Sequence, residues 1–237
     1  MTNNEKNNAQ DQNDAQVIRR AIFHEAAEAK GKYTIQHYKP LEHLREEYCR
    51  LRDRVQLLTD TFAEAASKEI QELKEKMEGM VFLADTYEID NVVTTVGKNL
   101  ALDTYLAGSA YTVTGPFIGL ISNVSYTTGP AAGDTMASHG GWTEAGGTNA
   151  PTYTAPRKTA AWSAASGGSK ALSSNLSFAI TSGTNVIIKG CFMVYGSGAV
   201  STIDNTAGTL YSAGTFSGGD KTVSNGDTLT VSYSTSL

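Results

Sequence analysis

LEHLREEYCRLRDRVQLLTDTFAEAASKEIQELKEKMEGM, residues 41–80, is the stretch whose reading decides how this chain is built. Its apolar residues fall at Leu41, Leu44, Tyr48, Leu51, Val55, Leu58 and Phe62, with spacings of 3, 4, 3, 4, 3 and 4. That is three heptads of an a/d seam, with Arg45, Glu46, Arg52 and Arg54 on the polar outside. The row continues through Ala66, Ile70, Leu73, Met77 and Met80 with spacings of 4, 4, 3, 4 and 3, so one heptad has gained four residues. Such a stutter locally unwinds a left-handed supercoil. No helix breaker precedes Gly79. About forty helical residues at roughly 1.5 Å each give a rod about 60 Å long.

A lone helix would expose this seam to water, so the spacing predicts a self-associating coiled coil over residues 41–84. Packing against the chain's own β region, or against a helix at 15–30, is the alternative. Leucine at three d positions and Val55 at an a position lean towards two strands. Tyr48 and Phe62 at a positions are too bulky for that rule, so the seam leaves dimer and trimer open.

Outward from the seam, residues 1–14 are rich in Asn, Asp and Gln without apolar periodicity and read as a disordered arm. AQVIRRAIFHEAAEAK (15–30) is a short helix with Val17, Ile18, Ala21, Ile22 and Ala26 on one stripe, stopped by Gly31. KYTIQHY is an extended link, and Pro40 suits the first turn of the next helix. The start is polar, without the basic and apolar regions of a secretory signal, and no run approaches the length of a spanning helix. Synthesis in a cytoplasm, with no membrane partner, is the expectation.

Near residue 85 the composition changes. Of 43 charged residues 28 precede position 81, whereas 21 of the 23 glycines follow it, so two unequal parts are expected with a boundary at 84/85. Residues 85–237 are long enough to bury a core. A short helix is expected around Lys98–Leu106, and then β-like runs: FIGLISNVSY, TAAWSAA, SFAIT, NVIIKGCFMVY, GTLYSAGTF and DTLTVSYSTSL. NVIIKGCFMVY reads as a strand buried on both faces, with Gly190 a bulge or point of close approach. Leu229, Val231 and Tyr233 alternate with Thr228, Thr230 and Ser232 after an Asn225-Gly226 turn. Short strands with Gly-rich turns and no helical crossovers predict an all-β antiparallel sandwich or jelly roll. The fold class expected is therefore α+β in sequence order, a coiled-coil rod followed by that β-domain.

No chemistry stands out. No nucleophile elbow surrounds Ser197, Ser138 and His139 are adjacent in a loop, and His24, His37 and His43 lie in the helical part without metal-ligand spacing and read as solvated helix residues. Cys49 and Cys191 have no CxxC partner and read as reduced thiols. Asp220 and Asp227 each sit beside glycine, as turn-forming residues do. Six basic residues after position 85 argue against nucleic acid, and no cofactor, metal or catalytic residue is expected. Trp142, Tyr153 and Trp162 flank the Gly-rich loop 127–149. As a stacking platform, Trp142 and Tyr153 would contact a sugar; packing in the core is the other reading.

The blocks LALDTYLAGSAYTVTGPFIGLI (100–121), AAGDTMASHGGWTE (131–144), TAPRKTAAW (154–162) and GTLYSAGTFSGGDKTVSNGDTLTVSY (208–233) resemble small structural proteins of tailed bacteriophages, the capsid decoration (cement) or minor virion proteins. The resemblance covers about residues 95–237 and brings no catalytic residues. It implies a non-enzymatic protein on the capsid exterior of the virion, partnered by the major capsid protein and by itself as a homotrimer. Residues 15–40 would then anchor to the capsid, although contact through the β-domain is the reverse arrangement. A head fibre is one form of this reading. A tail-fibre or baseplate adhesin binding a host surface glycan is the rival.

Overall fold

Apolar and polar residues alternate through KGKYTIQHYKP, and this stretch is an interior strand, β1 (Lys30–Pro40). The computed structural model describes residues 30–62, 66–105, 114–167 and 169–236. Tyr33, Ile35 and His37 of β1 are buried, while Thr34 and Gln36 are half-buried on the other face. β1 pairs antiparallel with β11 (Thr228–Ser236) on one side and β2 (Val81–Val93) on the other.

Between β1 and β2 the chain makes a 3-10 turn (Glu42–Leu44), then α1 (Arg45–Phe62) and α2 (Ser67–Glu78). The Leu41 N–H donates to the Met80 carbonyl at 2.8 Å and closes the base. The unit is thus a β-hairpin whose loop is itself a helical hairpin. Tyr48, Leu58, Ile70 and Met80 are buried, and Leu44, Leu51, Val55, Leu73 and Met77 are half-buried. Arg54 pairs with Glu69 at 3.1 Å and Lys76 with Glu47 at 2.6 Å, which sets α1 and α2 side by side and antiparallel.

This corrects the expected rod. The longest described helix has 18 residues, about 27 Å at roughly 1.5 Å per residue, and it is preceded by a sheet strand. The four-residue excess that reads as a stutter between Phe62 and Ile70 is where the chain reverses, so the first half of the seam faces the second. The expected boundary at 84/85 falls inside β2, and the segment expected to anchor at 15–40 includes β1; Lys30–Ser236 is one compact unit. The arm at 1–14 and the helix expected at 15–30 lie outside the described residues, except for Lys30, which opens β1.

Val93 leads into α3 (Thr95–Tyr105), where a helix around 98–106 is expected. Thr94 caps it, its Oγ1 accepting from the Gly97 N–H at 3.0 Å. There follow β3 (Phe117–Ser122), β4 (Thr143–Glu144), β5 (Lys158–Thr159), β6 (Ser169–Ala171), β7 (Leu176–Ala179), β8 (Val186–Tyr195), β9 (Thr209–Thr215) and β10 (Lys221–Val223). One 11-stranded antiparallel sheet contains all of them, in the order β4-β3-β8-β9-β2-β1-β11-β6, with β5 on β3, β10 on β8 and β7 on β11.

A single sheet replaces the expected sandwich or jelly roll, because β2 passes its pairing from one neighbour to the next. Asn91 is opposite Gly31 of β1, and Val92 is already opposite Ala213 of β9. One buried cluster joins both halves of this sheet, with Tyr33, Ile89, Val231 and Tyr233 from one and Ile118, Ile188, Cys191 and Met193 from the other. β8 is the buried strand expected, between β3 and β9. Gly190 is its point of close approach: a Cβ there would lie 1.9 Å from the Gly214 carbonyl oxygen.

Candidate functional site

The turn Ser224-Asn225-Gly226-Asp227 between β10 and β11 is the seat of the helical hairpin. Gly226 has φ +93°, and a Cβ on it would lie 3.0 Å from the Cys49 sulfur and 3.2 Å from Pro40, so glycine permits both the turn and the approach of α1. Arg45 of α1 donates to the Asn225 carbonyl at 2.7 Å and to Asp227 Oδ1 at 3.1 Å. Two helical turns further on, Arg52 donates to the Ile180 carbonyl at 2.7 Å and to Asn225 Oδ1 at 3.2 Å.

Asp227 is 1% exposed and joins this clamp to the sheet. Its Oδ2 accepts from His37 Nε2 at 2.9 Å and from the Ser224 N–H at 3.0 Å. His37 Nδ1 is 3.2 Å from the Tyr87 hydroxyl, so both ring nitrogens of this buried histidine are engaged. Burial pushes the Asp227 carboxyl upward, but the donors His37, Ser224 N–H and Arg45 outweigh it and hold it below the usual aspartate range. Tyr87 is pushed up to about 12, by burial first and then by Asp85.

A cleft of about 760 Å³ opens beside this clamp, between α1 and the turns at 183–185 and 222–227, and Lys39, Arg45, Cys49, Arg50, Asn185 and Asn225 are among its lining. Burial raises the Cys49 thiol, so the nucleophilic thiolate is disfavoured there. Asp227 and His37 have the residue types of an acid–base relay, yet their lone pairs and protons are spent on Arg45, Ser224 and Tyr87. This arrangement holds two elements together.

A second buried pair lies at the other end of the sheet. Arg157, 1% exposed, donates to both oxygens of Glu144, at 2.8 and 2.6 Å, and to the carbonyls of Val200 and Asn205. Glu144 also accepts from the Asp204 N–H at 2.8 Å, and burial raises its carboxyl against the pull of Arg157. The guanidinium therefore ties the loops around 144, 157 and 200–205 together. No group of three or more His, Cys, Asp or Glu side chains is poised for a metal ion among the described residues.

Of the two readings of Trp142 and Tyr153, a sugar-stacking platform or packing in the core, burial supports the second. Trp142 is 2% exposed, stacks on His139 at 4.0 Å, tilts against Phe192 and donates its indole N–H to Asp134 at 2.9 Å. Tyr153 is 3% exposed and meets the Phe178 ring edge-on at 5.1 Å. Both rings are core, which removes the platform from the loop 127–149; half-buried Trp162 packs edge-on to Tyr233. The clamp on Asp227 is not legible in the sequence. The Asn225-Gly226 signal located its turn, but nothing local pairs Asp227 with His37 or Arg45.

No family model, curated protein or solved structure matches the chain.

Proposed function

We propose that this protein is a non-enzymatic structural component of a tailed-phage virion, a decoration protein on the outside of the head with the major capsid protein as its partner. The observation that carries the reading is where the resembling blocks lie. Residues 208–233 supply β9, β10 and most of β11, and 131–144 bury their own Met136 and Trp142, so these blocks are scaffold. A scaffold of this kind with polar, hydroxyl-bearing strands outside suits a protein that adds contact area in many copies. Support also comes from the two buried acids, Glu144 and Asp227, which are saturated by structural donors.

A host-glycan adhesin is less well supported, since its two proposed contacts, Trp142 and Tyr153, are buried. Copy number separates the two. Quantitative mass spectrometry of purified particles should find hundreds of copies for a decoration protein; a count in the range of tail components overturns the proposal.

A further inference from the structure

Asn225 is the one asparagine in the chain that glycine follows. In such a dipeptide the glycine nitrogen can attack the Asn carboxamide carbon, because no side chain on the glycine stands in the way. The new C–N bond closes a five-membered succinimide, and the carboxamide nitrogen leaves as ammonia. Water then opens the ring at one carbonyl or the other, giving aspartate or isoaspartate. The balance is one water taken up and one ammonia released.

Here the dipeptide lies where the helical hairpin sits on the sheet, and both reacting groups are held. Gly226 is buried, and its N–H donates to the Ile180 carbonyl at 3.0 Å. Arg52 of α1 bridges that same carbonyl, at 2.7 Å, and Asn225 Oδ1, at 3.2 Å. The turn is further closed by the Asn225 N–H on the Gly183 carbonyl at 2.8 Å and the Asp227 N–H on the Ser224 carbonyl at 3.0 Å. Ring closure needs the carboxamide to swing onto the Gly226 nitrogen, which costs the Arg52 contact and takes the Gly226 proton from Ile180.

Two effects of Arg52 oppose each other. Its charge polarises the carboxamide and favours attack, whereas its hydrogen bond fixes the carboxamide in one orientation. Orientation wins, since Asp53 at 2.8 Å offsets the charge and the Gly226 N–H is already engaged by Ile180. Solvent is not the barrier: Asn225 lines the cleft beside the clamp, so water and ammonia can pass. What restrains the reaction is the docked helix.

Isoaspartate cannot rebuild this junction. Its main chain runs through the former side chain and is one methylene longer, and the carbonyl that accepts from Arg45 becomes a free carboxylate. The acceptors that both hairpin arginines find on Asn225 are displaced together.

We propose that Asn225-Gly226 is a modification site gated by the helical hairpin: it is converted to isoaspartate when the hairpin lifts from the turn, and the conversion leaves the hairpin undocked. Local opening of the clamp is thereby made a one-way covalent change.

Peptide mass spectrometry of the full chain incubated in mildly alkaline buffer tests it, with isoaspartyl methyltransferase labelling to identify the product. The folded wild type should convert at least about tenfold more slowly than the chain unfolded in urea, and Arg52→Ala should recover much of that difference. Unchanged hydrogen exchange at Phe117–Ser122 reports that the variant stays folded; if it does not, Arg52→Lys, which keeps the charge and loses the planar fork, takes its place with the same expected direction. Cys49, which faces Gly226, should react faster with a thiol reagent in converted chains than in unconverted ones. Conversion of the folded wild type as fast as in urea, a folded Arg52 variant no faster than wild type, or equal Cys49 reactivity in the two forms overturns the proposal.

Discussion

Arg45 and Asp227, 182 residues apart, meet at 3.1 Å and fasten the helical hairpin to the sheet. The aspartate is buried and its other oxygen is held by His37, so the contact spans α1, β1 and the turn before β11 at once. Asp227→Asn keeps the shape and removes the charge from charge-assisted hydrogen bonds. We expect a loss of about 2–3 kcal/mol in urea unfolding. Cys49, which faces Gly226 across the same junction, should react faster with a thiol reagent in the variant.

The same clamp has a pH signature. The folded-state value of Asp227 lies below its unfolded value, so its stabilisation is fully present above the unfolded value near 3.9 and is lost as pH falls through the folded one. Glu144 has the opposite sign, because its folded-state value is raised, but it is common to both proteins and cancels in their comparison. The stability gap between wild type and Asp227→Asn should therefore hold steady above about pH 5 and narrow below about pH 4. A gap that widens on acidification would contradict the assignment.

Local patterns made part of this fold legible. β8 is an apolar run, β11 alternates, and Asn225-Gly226 marks a turn, each readable within ten residues. The helical hairpin looks like a rod in sequence because heptad spacing reports an apolar face and not what covers it; a reversal between Phe62 and Ile70 adds residues to the count just as a stutter does. The sheet partners were hidden for another reason. β1 and β2 pair across the whole hairpin, and β2 is exposed from Phe82 to Thr86, so it lacks the alternation that announces a strand. The polar clamp joins residues that only this pairing brings together.

The hairpin reading separates apolar from ionic contributions. Ile70 is 8% exposed and lies in the α1–α2 contact, so Ile70→Ala should cost about 2–4 kcal/mol. Arg54→Ala removes a half-exposed ion pair with Glu69 and should leave the unfolding midpoint nearly unchanged. Both variants should sediment as the wild type does, since neither side chain is needed for an intermolecular seam. Equal destabilisation by the two would mean that the helices are held by charge.

At Gly190 the close approach to Gly214 leaves no room for a methyl group. Gly190→Ala places a Cβ 1.9 Å from a backbone oxygen, which only movement of β8 or β9 relieves, and a loss on the order of 3 kcal/mol is expected in thermal or urea unfolding.

Trp142 reports whether the loop 127–149 presents a ring to solvent. The chain has two tryptophans, so Trp162→Phe isolates Trp142. At 2% exposure, stacked on His139 and hydrogen-bonded to Asp134, Trp142 should emit at short wavelength and resist quenching by iodide. Asp134→Ala removes the acceptor of a buried indole N–H, which costs about 1–3 kcal/mol and should raise iodide access if the loop loosens. Efficient quenching without that substitution would return the ring to the surface and with it the case for a sugar platform.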